Sequence, residues 1–454
     1  MEVIEAKMTT GSIWKRILFF AIPLLLGNLF QLLYNTVDSI VVGQYVGKTA
    51  LAAVSASTPL INLIIGFFMG VAVGAGVIVG RHYGARRANE LSITVHTFTL
   101  FSILFGVVLT LFGYFLSPWL LELMNTPANV MPQAVEYLQI YFLGVLFVTL
   151  YNAGTGILQA IGDSKRPLYF LGVASVINII LDLYFVTQLN MGVAGVAWAT
   201  LIAQGVSSIL VIITLMLSKE TYKLEIKKLR IHGPTLVQIV KIGIPSGLQN
   251  MIVSLSNVIV QSYVNGFGAA AIAGFGSANK FDNFIALPIN SFALAITTFS
   301  AQNMGANKID RVKKGVNTTI LMGILSILIL GIPIWIYADV CVEIFSTDPD
   351  VIIAGAAMIR IMIPFYIALV FHQVYSGALR ASGLTIVPMI TSIVSFVFMR
   401  QVFLWIAMPI FNSIDIVAWG YSVTWTLAAI LTSVYFHFAN WLGDKNQTFN
   451  KTVD

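Results

Sequence analysis

Residues 17–42, 98–121 and 193–217 are long apolar blocks, each long enough to cross bilayer hydrocarbon as a helix. Within hydrocarbon every backbone polar group must be satisfied by the segment itself or by a closed sheet, which leaves helices or a barrel. A barrel shows short segments of alternating polarity, whereas these blocks are continuous. Composition agrees: 58% of residues are hydrophobic, 10% are charged and mean hydropathy is +0.88. Soluble domains carry about a quarter charged residues, and a soluble fold of this chain would expose apolar patches too large for a monomer. The expected fold class is an all-α membrane protein.

Twelve spans are expected, at about 14–45, 49–80, 93–117, 134–160, 166–188, 192–217, 237–265, 270–303, 315–338, 354–380, 386–411 and 415–441. No cleavable signal is evident, so Ile17 onward is read as the first true span. The longest polar interruption, 218–235, carries Lys219, Lys223, Lys227, Lys228 and Arg230. The expected organisation is an N-terminal six-helix lobe at 1–217, a linker at 218–236 and a C-terminal six-helix lobe at 237–454.

The net charge of +6 invites a nucleic-acid reading, but most of the bases lie in alternate loops. All Lys and Arg except Lys48, Lys280, Arg360 and Arg400 fall on the side of the N-terminus, Lys7, Lys445 and Lys451 among them. The opposite loops hold Glu122, Asp339, Glu343, Asp348, Asp350 and Asp415. That asymmetry places both termini in the cytoplasm of a multi-pass inner-membrane protein, with the lipid bilayer and not nucleic acid as its partner. The lone Cys341 excludes an intrachain disulfide.

The halves repeat at an offset of 221 residues. Leu121-Glu122-Leu123 falls on Val342-Glu343-Ile344, and Gly84-Ala85-Arg86-Arg87 on Gly305-Ala306-Asn307-Lys308. Leu158-Gln159-Ala160-Ile161-Gly162 falls on Leu379-Arg380-Ala381-Ser382-Gly383, and Val196-Ala197-Trp198 on Val417-Ala418-Trp419. Ile22-Pro23 matches Ile244-Pro245 at one residue more. Six spans per repeat give both halves the same orientation, as two pseudo-twofold bundles about an axis along the membrane normal, with a cavity expected between them.

Polar groups inside spans are costly and usually functional. Asp38 lies in span 1, Asn178 and Asp182 lie one helical turn apart in span 5, and Thr200 lies in span 6. At about 1.5 Å per residue, Asp182 lies roughly 24 Å up span 5 and Thr200 roughly 12 Å below the outer surface. Asp38 is also in the outer half of its span. All four can converge on one pocket whose hard oxygen ligands suit Na+ or a shared proton. Like charges in a poorly solvated pocket disfavour double ionisation, so one carboxylate of the pair is expected to stay protonated near neutral pH. The bland alternative makes Asp182 a helix cap and Asp38 a vestibule residue.

Gln31, Tyr34 and Asn35 lie within two turns of Asp38 and are candidates to line the same cavity. The C-terminal half carries Ile259/Val260 and Phe403 where Asp38 and Asp182 would repeat. It has instead Gln249, Asn257 and Gln261 along span 7, Lys280 and Asp282 in span 8, Arg360 in span 10 and Arg400 in span 11. Lys280, Asp282 and Arg400 are expected to approach one another, because isolated charges at mid-span depth are costly. Pro23 and Pro245 remove a helix hydrogen bond at equivalent points of the repeats and are candidate hinges. His82, His96, His232, His372 and His437 show no metal spacing. No Walker motif, nucleophile elbow or zinc signature appears, so this chain is not expected to be an enzyme or to hydrolyse ATP.

These residues resemble the multidrug and toxic compound extrusion (MATE) transporters. The resemblance rests on the 6+6 repeat, Pro23 and Asp38 in span 1, and Gly84-Ala85-Arg86 with Gly305-Ala306-Asn307. It rests also on Leu158–Asp163 and its partner 379–383. It covers nearly the whole chain and is most similar to the DinF-like branch. It implies a monomeric antiporter that exports small amphiphilic or cationic molecules in exchange for Na+ or H+, with no further cofactor. It implies a first-lobe cation site at Asp38, Asn178, Asp182 and Thr200. Other branches place acids in spans 7 and 10, where this chain has Val253 and Val370, so a second-lobe cation site is expected to be absent. Polysaccharide and lipid flippases share the superfamily. A lipid-linked saccharide is the alternative substrate if Lys280, Arg360 and Arg400 line one basic cavity. A non-transporting receptor is a third class, which the duplicated fold disfavours.

Overall fold

The computed structural model describes residues 8–442. Lys7, Lys445 and Lys451, used above for orientation, lie outside the described residues. Among the described residues the chain is helical throughout, with no strand.

The first half comprises α1 (Ile13–Val41), α2 (Lys48–Gly84), α3 (Ala88–Leu123), α4 (Met131–Leu143), α5 (Val145–Ala160), α6 (Lys165–Leu183) and α7 (Gly192–Leu217). The second comprises α8 (Gly233–Asn265), α9 (Ala269–Gly305), α10 (Ile309–Ile336), the short α11 (Ala338–Glu343), α12 (Pro349–Met362), α13 (Tyr366–Ala381), α14 (Ile386–Ser392), α15 (Arg400–Phe411) and α16 (Asp415–Phe438). Among the described residues, eleven helices or continuous helical runs are long and apolar enough to span a membrane. The fourth span is α4 plus α5, bent by 45° at Gly144, which brings the total to twelve. The tenth is broken by a tight turn at Ile363–Phe365, where Pro364 cannot donate to the helix ladder.

The 221-residue repeat is written in the backbone. Left-handed φ values fall in pairs at Gly47 and Gly268, Arg86 and Asn307, and Gly162 and Gly383. Each pair reverses the chain at the same point of the two halves. Arg86 and Asn307 close their turns with the same bond, Arg87 N–H to His82 O at 3.0 Å and Lys308 N–H to Asn303 O at 2.8 Å.

Two compact units result. Pro23–Gly243 form one, and the described parts of Glu5–Ile22 and Ile244–Asp454 form the other. The grouping thus changes within α1 beside Pro23 and within α8 beside Pro245, although both helices run through their prolines unbroken.

In the first unit α8 begins against α2. A Cβ on Gly243 would lie 2.7 Å from the Val71 Cα, and one on Gly74 would lie 2.5 Å from the Gly243 Cα. Only glycine at both positions permits this backbone approach, the usual device of helix pairs in lipid. Lipid gives apolar side chains no drive to leave it, so such packing and buried hydrogen bonds hold the bundle.

Candidate cation site

Asp38 lies on the last turn of α1, Asn178 and Asp182 on one face of α6, and Thr200 on α7, two turns from its start. Two wound-out π-helical turns follow the acids directly, Val42–Val46 after α1 and Tyr184–Gln188 after α6. Such turns insert an extra residue per turn and recur at functional sites.

The four residues meet inside the first unit. The Asp38 and Asp182 carboxyls face each other. Tyr34, one turn before Asp38, has its hydroxyl in the neighbourhood of Thr200. Asn178 and Asp182 are wholly buried, Thr200 nearly so, and Asp38 is 9% exposed.

One helical turn further out on the same faces stand Val41 and Val42, Val186, and Val196 with Ala197. With Ala50, Tyr137 and Val193 they form one apolar cluster that closes the pocket at that end.

The polar atoms of this pocket are unsatisfied. Asp38 Oδ1, both carboxyl oxygens of Asp182, both amide atoms of Asn178 and Thr200 Oγ1 are buried without a hydrogen-bond partner among the described residues. Buried polar atoms are nearly always paired, and each exception asks for an explanation such as an ion. Five of the six are oxygens, with two carboxyls at their centre, a set that can hold one small cation, whereas the Asn178 Nδ2 can only donate a hydrogen bond. Three oxygen types converge, carboxylate, amide carbonyl and hydroxyl, and these are hard ligands. The helix-cap reading of Asp182 fails, because neither of its oxygens accepts a backbone N–H.

Tyr137 and Tyr141 on α4 complete the wall, near enough to Asp38 to feel its charge, with rings 6.4 Å apart. Sequence reasoning missed both; their spacing of four residues, which puts both hydroxyls on one face of α4, is the signal that marks them. Asn35 is exposed and Gln31 half-buried, and neither joins this cluster.

Among the described residues the second unit does not repeat this pair of acids, with Val260 and Phe403 at the matching positions. Val370 is buried and Val253 half-buried, at the two positions where the resemblance led us to look for acids. The expected convergence of Lys280, Asp282 and Arg400 is met only in part. Asp282 accepts a hydrogen bond from the Tyr366 hydroxyl and feels the charge of Arg400. Arg400, 2% exposed, donates to Asn257 Oδ1 at 3.0 Å and stacks 4.1 Å over the Tyr421 ring.

Lys280 does not join them. Its side chain is exposed, with Nζ 4.1 Å from the Phe345 ring centre. Residues two apart on a helix point to different faces, so Lys280 and Asp282 cannot pair with each other. Arg360 pairs instead with Asp339, at 2.5 and 3.1 Å. Gln261 is spent on Asn265 at 2.9 Å. Gln249 donates to Ser392, which bonds the fully buried His372, itself bonded to Thr432. His372 is therefore a satisfied packing residue.

The MatE family profile matches residues 23–184 and 245–406, one copy in each half. The chain belongs to the MatE family. A probable multidrug resistance protein, YoeA, of Bacillus subtilis (strain 168) is 31% identical over 449 residues, covering 96% of each chain. An FAD transporter of Shewanella oneidensis is 25% identical and covers 76% of this chain and 77% of its own. A crystal structure of MATE in the bent conformation superposes with a TM-score of 0.90 at 24% identity, covering 98% of both chains. The MatE chain described here is accordingly a multi-pass membrane transporter protein with the MATE fold.

Proposed function

We propose that this MatE protein is a secondary active multidrug efflux transporter. It exports amphiphilic or cationic compounds in exchange for Na+ or H+, and Asp38, Asn178, Asp182 and Thr200 form the coupling site. The observation that carries the reading is the cluster of six buried, unpartnered polar atoms around two facing carboxyls.

The coupling follows from electrostatics. Two ionised carboxylates roughly 4 Å apart repel by about 4 kcal/mol at an effective dielectric near 20. One proton or one Na+ relieves that repulsion, so the pocket has two states that differ by one bound cation. Asp38 sits on the helix that carries Pro23, so cation occupancy can bias the curvature of α1. Transport then exchanges the cation for substrate, because each favours a different α1 state. The family relationship supports multidrug efflux; the donor set supports a small hard cation.

The flippase reading required Lys280, Arg360 and Arg400 to line one basic cavity. Each instead has a different partner, Phe345, Asp339 and Asn257 respectively.

The test is drug efflux from proteoliposomes with Na+ and pH gradients imposed separately. The reading predicts that one gradient drives efflux and that Asp38→Asn uncouples it. Efflux that needs neither gradient refutes it.

A further inference from the structure

The linker between the halves is strapped to the start of α3 in the first unit. Glu225 N–H donates to His96 Nε2 at 3.0 Å, and His232 N–H donates to Thr97 Oγ1 at 3.2 Å. Thr97 Oγ1 in turn donates to the Arg230 carbonyl at 3.3 Å. Between these two ties the linker bows outward through a tight turn at Ile226–Lys228 and leaves a cavity of about 360 Å³. Ser92, Ile93 and His96 line one side, and Lys227, Lys228 and Arg230 line the other. His96 is nearly fully buried and both its ring nitrogens are engaged, so it forms a rigid wall.

The charge in this cavity is only partly balanced. Lys228 pairs with Glu225 at 2.9 Å and holds that carboxyl below the usual carboxylate range. Lys227 and Arg230 are exposed and have no carboxylate within ion-pair distance among the described residues.

The depth of the cavity identifies its environment. The 36 residues of α3 span about 54 Å. Bilayer hydrocarbon takes about 30 Å, leaving about 12 Å, or about eight residues, beyond the hydrocarbon at each end. Ser92, Ile93 and His96 fall at that boundary. Apolar side chains flank the bases there: Ile226 is 63% exposed and Leu217 76% exposed. Bases beside exposed aliphatic side chains at this depth are the pattern of a segment lying in the interface.

We propose that this cavity binds the phosphate of an anionic lipid headgroup, with Lys227 and Arg230 as its direct ligands and Ile226 set against the acyl chains. The site lies outside the cation pocket and does not depend on the coupling reading; it rests only on the chain spanning a bilayer.

The experiment is native mass spectrometry of the full chain titrated with phosphatidylglycerol or phosphatidylcholine, and separately with inorganic phosphate. The variants are Lys227→Gln/Arg230→Gln and, as a control of equal charge change, Lys313→Gln/Lys314→Gln on exposed positions of α10. At about fivefold per base near an anionic surface, the first pair should weaken phosphatidylglycerol binding by roughly 25-fold. The control pair and phosphatidylcholine binding should stay unchanged. Equal loss in both double variants, or no preference for phosphatidylglycerol over phosphatidylcholine, overturns the site. Binding of inorganic phosphate without a preference for the lipid overturns the lipid assignment.

Discussion

Asp182→Asn separates a cation site from a structural carboxylate, because the two accounts predict stability changes of opposite sign. Asp182 is wholly buried, faces Asp38 and accepts no hydrogen bond among the described residues. Asparagine keeps its shape, removes its charge and presents an amide that can donate to Asp38. Losing a like-charge repulsion of about 4 kcal/mol at roughly 4 Å leaves the empty pocket as stable as wild type or more so. The same loss removes one of the two charges that hold the cation, so its affinity falls by up to about three powers of ten. Thermal unfolding in detergent and cation-dependent drug efflux in proteoliposomes read the two effects. The expected result is an unchanged or raised Tm together with lost coupling. If Asp182 were a structural acceptor, the variant would lose about 1–3 kcal/mol and unfold earlier. A lowered Tm with coupling intact refutes the reasoning.

Asp38→Asn should likewise abolish coupled efflux while the protein still folds, and wild-type drug resistance in cells carrying it would end the proposal for that residue. Pro23→Ala restores a helix hydrogen bond in α1. Spectroscopic distances from α1 to α6 should then stop responding to the wild-type switch between low and high pH, whereas unchanged shifts with intact efflux make Pro23 a fixed kink. Gly243→Ala gains up to about 1 kcal/mol of helix propensity, but its Cβ would lie 2.7 Å from the Val71 backbone. Overpacking of about 1–3 kcal/mol should win and lower Tm, and an unchanged Tm contradicts the close α2–α8 crossing. The Arg360 guanidinium holds the Asp339 carboxyl below its ordinary value. The stability from this pair is present above the unfolded carboxylate pKa and lost as pH falls through the folded one. Both side chains are well exposed, so it is below about 1 kcal/mol. The Tm difference between wild type and Asp339→Asn should close as pH falls below the unfolded carboxylate value of about 4.

Much of this architecture was legible because lipid leaves few choices. Long apolar blocks must be helices, and one offset of 221 residues carried the duplication down to paired left-handed residues such as Arg86 and Asn307. Asp38, Asn178, Asp182 and Thr200 could be read as one site because helical rise fixes depth from residue number, and their depths agree. What depends on azimuth around a helix was harder. Lys280 and Asp282 are close in sequence and depth but point to different faces, toward Phe345 and Tyr366. Arg360 found Asp339 on the short α11, which no apolar periodicity announces. Tyr137 and Tyr141 were invisible because a tyrosine in an apolar span looks like packing until its neighbour is known. The 45° bend at Gly144 and the π turns after Asp38 and Asp182 depend on tertiary packing that local propensity does not encode.

The central claim, that one cation is exchanged at the Asp38–Asp182 pair, is tested most directly by counter-flow. An outward gradient of a cationic drug is imposed across proteoliposomes, and uptake of 22Na+ or of protons is recorded for wild type and for Asp38→Asn/Asp182→Asn. The account predicts drug-driven cation uptake in the wild type and none above the protein-free leak in the double variant. Undiminished cation uptake in the double variant contradicts it.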